Sequence, residues 1–171
     1  MQAHWKTMSS SSGLSSSFIF VYGTLKRGFL NHRVLNSSVL KGLYQTTSPF
    51  PLFVDAYCVP YCVDSPGTGH RISGEVYAVS PEVLEDLDEL EGVADGRYAR
   101  KRIELLPTTP EEQEGFPILE AWAYLLPEKE GLELQRRECL DDYPLELHAA
   151  NYVPPGPERD PARRRSWGGF D

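Results

Sequence analysis

An α+β fold, with a curled mixed sheet and helices packed against its outside, is what the sequence predicts, and three observations predict it. Phe18-Ile19-Phe20-Val21-Tyr22 is a continuous apolar and aromatic run of strand length, the pattern of a central strand buried on both faces. Ile72 to Val79, Tyr98 to Leu106 and Ile118 to Leu126 read as further strands, mixed with helical segments but without the strict βαβ alternation of a doubly wound fold. Residues 80–92 read as a short amphipathic helix with a start and a stop signal at its ends.

Taken in order, residues 1–17 are a serine-rich segment without acids, expected to be a disordered tail. A plastid or mitochondrial transit peptide is the competing reading, but the segment is short, has one lysine and no arginine, and Met8 could serve as a later start. The first strand stops at Gly23-Thr24-Leu25-Lys26-Arg27-Gly28, a turn framed by glycines. Asn31 to Leu40 is predicted as a short helix. Residues 48–69, with four prolines and two glycines, read as irregular chain and short strands. Ile72 to Val79 leads at once into the helix, where Ser80 can cap the N-terminus, Pro81 suits the first turn and Gly92 can end it. Thr108 to Gly115 is an acidic connection, and a helical pattern is expected from Gly131 to Leu140. The domain proper is placed at residues 18–151, followed by a Pro/Arg/Gly-rich tail at 152–171 that is expected to be mobile. No internal repeat is found.

A formal net charge of −8 argues against a general nucleic-acid binder, which needs clustered Lys and Arg for phosphate contacts. Arg97, Arg100, Lys101 and Arg102 are expected to interleave with side chains along a strand, and Arg163 to Arg165 to be solvated in the tail. Three cysteines make no disulfide framework, and the odd count favours a reducing, cytoplasmic setting. Cys58 and Cys62 could lie on two arms of a turn, but a zinc site needs further ligands, and only Cys139 and four scattered histidines remain. No metal is expected. His32, His70 and His148 are read as surface, capping or loop residues. No apolar run approaches the ~20 residues of a membrane span.

Two places could carry chemistry. Along the helix, Val83, Leu84, Leu87 and Leu90 make one apolar arc, with Glu82, Glu85, Asp86 and Glu89 on the far side and Asp88 at the margin. Glu91 falls inside the arc, four residues after Leu87. A carboxylate aimed at a core is costly unless paired or hydrogen-bonded, so it needs a reason. Proton transfer is one; a frayed last turn or a structural hydrogen bond to the sheet are the others. The second place is Tyr22-Gly23-Thr24-Leu25. A strand ending in a glycine turn can aim successive backbone N–H groups at one anion, with the Thr24 hydroxyl beside them. It can equally be an ordinary tight turn. Neither Gly-x-x-x-x-Gly-Lys-Ser/Thr nor Gly-x-Ser-x-Gly is present.

Phe20-Val21-Tyr22-Gly23-Thr24-Leu25-Lys26-Arg27-Gly28 with Asn31-His32-Arg33-Val34-Leu35 resembles the opening of the γ-glutamylcyclotransferase-like family. Pro66-Gly67-Thr68-Gly69, Gly74-Glu75-Val76-Tyr77-Ala78-Val79 and Leu87-Asp88-Glu89-Leu90-Glu91 leading to Tyr98 continue the likeness, in the family's order and spacing. It covers about residues 18–126 and is nearest the γ-glutamylamine cyclotransferase branch and its plant avirulence-induced relatives.

The resemblance implies a small mixed β-barrel flanked by helices, a substrate-binding loop at Tyr22 to Leu25, and a catalytic glutamate at Glu91, with Tyr22 or Tyr124 closing the pocket or serving only as core aromatics. It implies release of 5-oxoproline and a free amine or amino acid from an L-γ-glutamyl compound by intramolecular aminolysis. No cofactor is expected for that reaction. The expected partner is a small γ-glutamyl molecule, with no nucleic acid and no membrane, and a monomer is favoured. A non-catalytic binding or interaction module of the same fold is the alternative. After Leu126 the sequence departs from the family pattern, so the preference for one γ-glutamyl substrate over another is left open.

Overall fold

In the computed structural model, which describes residues 16–109, 118–131 and 138–159, the first apolar run becomes strand β1 (Ser17–Val21). It is buried on both faces, as its composition predicts. Ile19 and Val21 face one core, Phe20 and the following Tyr22 another. After the glycine turn comes a two-turn 3₁₀ helix, Leu30–Leu35. The helix expected over Asn31–Leu40 ends there, because Val39–Thr46 is a strand, β2. Val39 and Leu43 point outward, 60% and 57% exposed, so apolar residues stand where a strand's polar positions would announce it. A register shift between Leu40 and Gly42 breaks the alternation further.

A hairpin follows, β3 (Leu52–Val54) with β4 (Pro60–Cys62). Next come β5 (Ser73–Val79), helix α1 (Pro81–Glu91), β6 (Ala99–Pro107) and β7 (Leu119–Leu125). β1, β5, β2, β6 and β7 close into a barrel in that order. Four of its pairings are antiparallel. Alternating directions cannot close on an odd number of strands, so the β1–β7 seam, Ile19 opposite Trp122, is parallel. This is the mixed barrel that the resemblance implies. Gly74 permits one close approach within it, since a Cβ there would stand 2.7 Å from the Phe20 ring.

The lumen holds Phe20, Val76, Ile103, Leu105, Ala121, Ala123 and Leu125, and the hairpin's Leu52 and Cys62 join the same cluster. A second core lies between the barrel wall and α1, where Val83 and Leu87 meet Ile19, Val21, Val79 and Tyr124. Burying such apolar faces is worth roughly 25 cal/mol per Å² and is the main attraction holding α1 to the barrel. The basic run interleaves along β6: Arg100 and Arg102 lie 5.0 and 4.8 Å over the Trp122 ring. Arg102 also pairs with Glu120, and Lys101 with Asp64.

The chain after β7 differs from expectation. The helical stretch foreseen from Gly131 to Leu140 begins earlier, as α2 (Glu128–Gly131). Residues 132–137 lie outside the described segments, and Leu140 is extended, pairing with Leu52. Helix α3 (Leu145–Asn151) was not foreseen; it has no fully buried side chain to write an apolar arc into the sequence. It carries His148, read above as a loop residue. The acidic connection at 110–115, the N-terminal segment 1–15 and the tail from 160 fall outside the described residues. No helix among those described is long and apolar enough to cross a membrane.

Candidate active site

Helix α1 is built as its sequence dictates. The Ser80 hydroxyl accepts from the Val83 N–H at 3.3 Å, Pro81 occupies the first turn, and Gly92 ends the helix in the left-handed region at φ 64°. Two acids on its last turns meet opposite fates. The Asp88 carboxylate is fully engaged: Tyr124 Oη donates to Oδ1 at 2.7 Å and Arg100 Nη1 to Oδ2 at 2.8 Å. Glu91, three residues on, makes no hydrogen bond and no close ion pair with any described residue. Burial pushes its pKa up to about 7, and the Arg97 guanidinium offsets part of that rise. Tyr22, Tyr98 and Tyr124 all lie within electrostatic reach of it, and burial holds each phenol's pKa above its ordinary value. They therefore surround the acid as neutral groups. A structural hydrogen bond to the sheet, one of the bland explanations for Glu91, is not what the carboxylate makes.

Glu91 opens onto a cavity of about 810 Å³. Tyr22, Gly23, Thr24, Leu25 and Tyr124 line the same cavity, so all the residues singled out from sequence converge on it. Across from the acid, the turn after β1 is held from behind. The Lys26 N–H donates to the Gly23 carbonyl at 3.1 Å, the Asn31 N–H to that of Thr24 at 3.0 Å, and the His32 ring nitrogen Nδ1 bonds the Leu25 carbonyl at 2.9 Å. With the carbonyls spoken for, the amides of Gly23, Thr24 and Leu25 donate to no described residue. Asn31 Nδ2 donates to Thr24 Oγ1 at 2.9 Å, which leaves the threonine's own proton to give. Buried backbone donors are nearly always paired, and three consecutive ones without a described partner beside a cavity are the arrangement an anion nest requires.

Gly23 is required by packing rather than by its dihedral angles: a Cβ would meet Pro60 Cγ at 2.7 Å. The β3–β4 hairpin that supplies Pro60 is shaped by Asp55. Its Oδ1 accepts from the amides of Tyr57 (2.8 Å) and Val59 (2.9 Å), and Tyr61 Oη donates to Oδ2 at 3.1 Å. Lys26, buried inside the turn, donates to Asp142 Oδ1 and to the Tyr143 carbonyl, both at 2.7 Å, and so ties the late chain to the site.

Tyr22 and Tyr124 use their hydroxyls on the protein: Tyr22 Oη donates to the Tyr124 carbonyl at 2.7 Å, and Tyr124 Oη to Asp88. Both are walls of the cavity. Sequence reasoning missed Arg97, Tyr61 and Asp55 as lining residues, and above all Tyr152, Pro155 and Arg159 from the late chain. Arg97 had a signal, a charged residue just past a helix-ending glycine; its guanidinium lies against Gly92, where an added Cβ would stand 3.0 Å from Nε. The others had none. The three cysteines are free thiols, two of them buried, and burial raises the pKa of Cys58 and Cys62. No group of three or more metal-ligating side chains gathers among the described residues.

Residues 19–145 match the protein family described as gamma-glutamyl cyclotransferase, AIG2-like. A protein of Arabidopsis thaliana, provisionally named a gamma-glutamylcyclotransferase, is 44% identical over 97 residues, 53% of this chain and 52% of that one. The gamma-glutamylaminecyclotransferase of Bos taurus is 42% identical over 91 residues, 50% of this chain and 54% of that one. The chain thus spans about half the length of these curated relatives. The crystal structure of an AIG2-like protein from Mus musculus superposes with a TM-score of 0.71 at 28% identity, covering 82% of this chain and 97% of that one.

Proposed function

The chain belongs to the AIG2-like gamma-glutamyl cyclotransferase family, and from that premise we propose that it cleaves an L-γ-glutamyl compound to 5-oxoproline and a free amine or amino acid. One observation carries the reading: an acid with a raised pKa and three amides, none of them paired with a described residue, line the same cavity.

The substrate contains both reactants. Its α-amine attacks its own γ-carbonyl carbon, the C–N bond to the leaving amine breaks, and the five-membered lactam closes. Holding amine and carbonyl in attack geometry is worth an effective molarity on the order of 10⁵ M or more. The Gly23, Thr24 and Leu25 amides receive the α-carboxylate, with the Thr24 hydroxyl as a further donor. That places the α-ammonium toward Glu91. As a carboxylate, Glu91 takes one proton from the ammonium and frees the nitrogen lone pair. As the resulting acid, it gives that proton to the departing nitrogen. The second proton that the ring nitrogen sheds on attack passes the same way, so the products are neutral lactam and the ammonium form of the released amine, and Glu91 ends as the carboxylate it began. A pKa of about 7 suits both halves, since the group is neither a spent base nor a reluctant acid near neutrality. The charge that builds on the γ-oxygen calls for one more donor, for which the same turn is the nearest supply.

A binding module that never used catalysis is the rival reading. For such a protein an unpaired carboxylate facing an anionic ligand is only a cost. Incubating the purified protein with γ-glutamyl amino acids, γ-glutamyl amines and glutathione, and assaying 5-oxoproline, tests the proposal. Release from at least one class is expected; a folded protein that releases it from none overturns the reading.

A further inference from the structure

The family match ends at residue 145, yet the cavity does not. Beyond α3 the chain returns as a strap. The Val153 N–H donates to the Tyr57 carbonyl at 3.1 Å, and the Tyr152 ring packs against His148 at 4.4 Å between centroids, tilted by 31°. At the strap's end Arg159 bends back, its Nε donating to the Val153 carbonyl at 2.7 Å and its Nη2 to the same oxygen. The guanidinium lies over two aromatic faces, 5.7 Å from the Tyr57 centroid and 5.5 Å from that of Tyr152.

This arrangement fixes a cation without neutralising it. No carboxylate of a described residue is within ion-pair distance of Arg159, and its Nη1 makes no hydrogen bond to a described residue. Arg97, on the same cavity, is likewise without a close ion pair. The acids that share the cavity do not answer the charge on Arg159. Asp55 is consumed by two amides and a phenol, Glu130 faces Lys129 at 4.0 Å, and Glu91 is the acid assigned above to proton transfer. Part-buried and held in place, a guanidinium fork is matched in shape and charge by a carboxylate.

We propose that Arg159 is a specificity-determining residue that reads a carboxylate on the leaving group, so that this chain prefers γ-glutamyl amino acids or peptides to γ-glutamyl derivatives of uncharged amines. The inference rests on the proposed reaction for its substrate but not on the chemical step. The α-carboxylate of the glutamyl half goes to the amide nest, and the only other carboxylate such a substrate offers is on the part that leaves. Relatives that match only up to the equivalent of residue 145 need not share the preference.

The test separates binding from turnover. In a Glu91→Gln background, dissociation constants are measured by calorimetry for γ-glutamyl-alanine and for its carboxamide, γ-glutamyl-alaninamide, which differ in one charge. The carboxylate is expected to bind about tenfold or more tightly, as a charge-assisted hydrogen bond implies. Adding Arg159→Gln should bring the ratio close to one, while Arg159→Lys, which keeps the charge and loses the fork, should retain part of it. An unchanged ratio in the glutamine variant, no preference in the parent, or no binding of either compound overturns the inference. So does equal weakening of both compounds by the glutamine and lysine variants, which means that Arg159 only packs the strap. In the chain with Glu91 intact, absence of 5-oxoproline alongside a charge-dependent binding ratio would defeat the proposed reaction and leave the reading of Arg159 standing.

Discussion

The two walls of the cavity work by different means. On the α1 side the proposed chemistry sits in one side chain, Glu91, without a hydrogen-bond partner among the described residues while its neighbour Asp88 is tied down by Tyr124 and Arg100. On the β1 side it sits in the main chain, in the Gly23, Thr24 and Leu25 amides, which have no described partner while the carbonyls of the same turn are bound from behind. The difference teaches how each wall can be probed. Side-chain chemistry is removed by an isosteric substitution that leaves the fold alone. Main-chain chemistry survives most substitutions and yields only to a change in backbone shape or in the ligand.

The sharpest way to break the comparison is Glu91→Gln. It keeps the shape and removes the proposed proton carrier, and turnover should fall by at least ~10². Glu89→Gln, on the opposite face of the same helix, should leave turnover within a factor of two or so of the parent in the same 5-oxoproline assay. Normal turnover by a folded Glu91→Gln protein would move the chemistry off this wall.

The turn should answer differently. Amidating the α-carboxylate of the substrate removes the anion that the turn is proposed to hold, and kcat/KM should fall by roughly tenfold to a hundredfold in the unaltered protein. Equal turnover of the amidated substrate would show that the amides hold something else. Gly23→Val attacks the same wall from the protein side. Its Cβ would collide with Pro60, so a loss of roughly 1–3 kcal/mol in chemical denaturation should accompany the loss of binding.

The pH dependence sharpens the contrast, because the α1 wall carries a carboxyl whose pKa burial raises to about 7. Glu91 has its folded pKa raised to about 7, above the ordinary carboxylate value of 4.5. A group that binds its proton more tightly when folded stabilises the fold fully below the unfolded pKa and loses that contribution as pH climbs toward 7. Glu91→Gln should therefore gain on the parent between pH 4 and pH 8, by roughly 1–3 kcal/mol given 1.36 kcal/mol per pKa unit and some screening by cavity water. Parallel denaturation curves at the two pH values would measure it. A variant that instead loses stability at pH 8 would make Glu91 a structural partner. Activity should run the opposite way to the stability contribution, rising with pH as the base form appears.

The smallest effect is expected where the walls touch. Tyr124→Phe removes one donor from Asp88, while Arg100 remains, and should cost about 1 kcal/mol of stability. A large drop in turnover, with the fold intact, would mean that the Tyr124 hydroxyl meets substrate as well.

Much of this was legible in the sequence wherever the information is local. A run such as Phe18 to Tyr22 fixes its own strand, since its apolar groups must be buried on both faces. Ser80, Pro81 and Gly92 mark the ends of α1 because caps act on adjacent backbone groups, and a 3.6-residue period suffices to set Glu91 inside the apolar arc. The glycine turn at Gly23 could be suspected for the same reason. Whatever depended on distant partners was decided by the tertiary structure alone. β2 is a strand because β5 and β6 flank it, not because its own residues alternate; its outward Val39 and Leu43 hide the pattern. Asp88 and Glu91 differ only through residues on β6 and β7 that reach one acid and leave the other. The strap from Tyr152 to Arg159 carries no periodicity, and lies on the cavity because Tyr57 and His148 hold it there. Local propensity reaches one or two turns along the chain, whereas the pairing of β2 with β5 and β6, of Asp88 with Tyr124 and of Val153 with Tyr57 joins residues far apart in sequence.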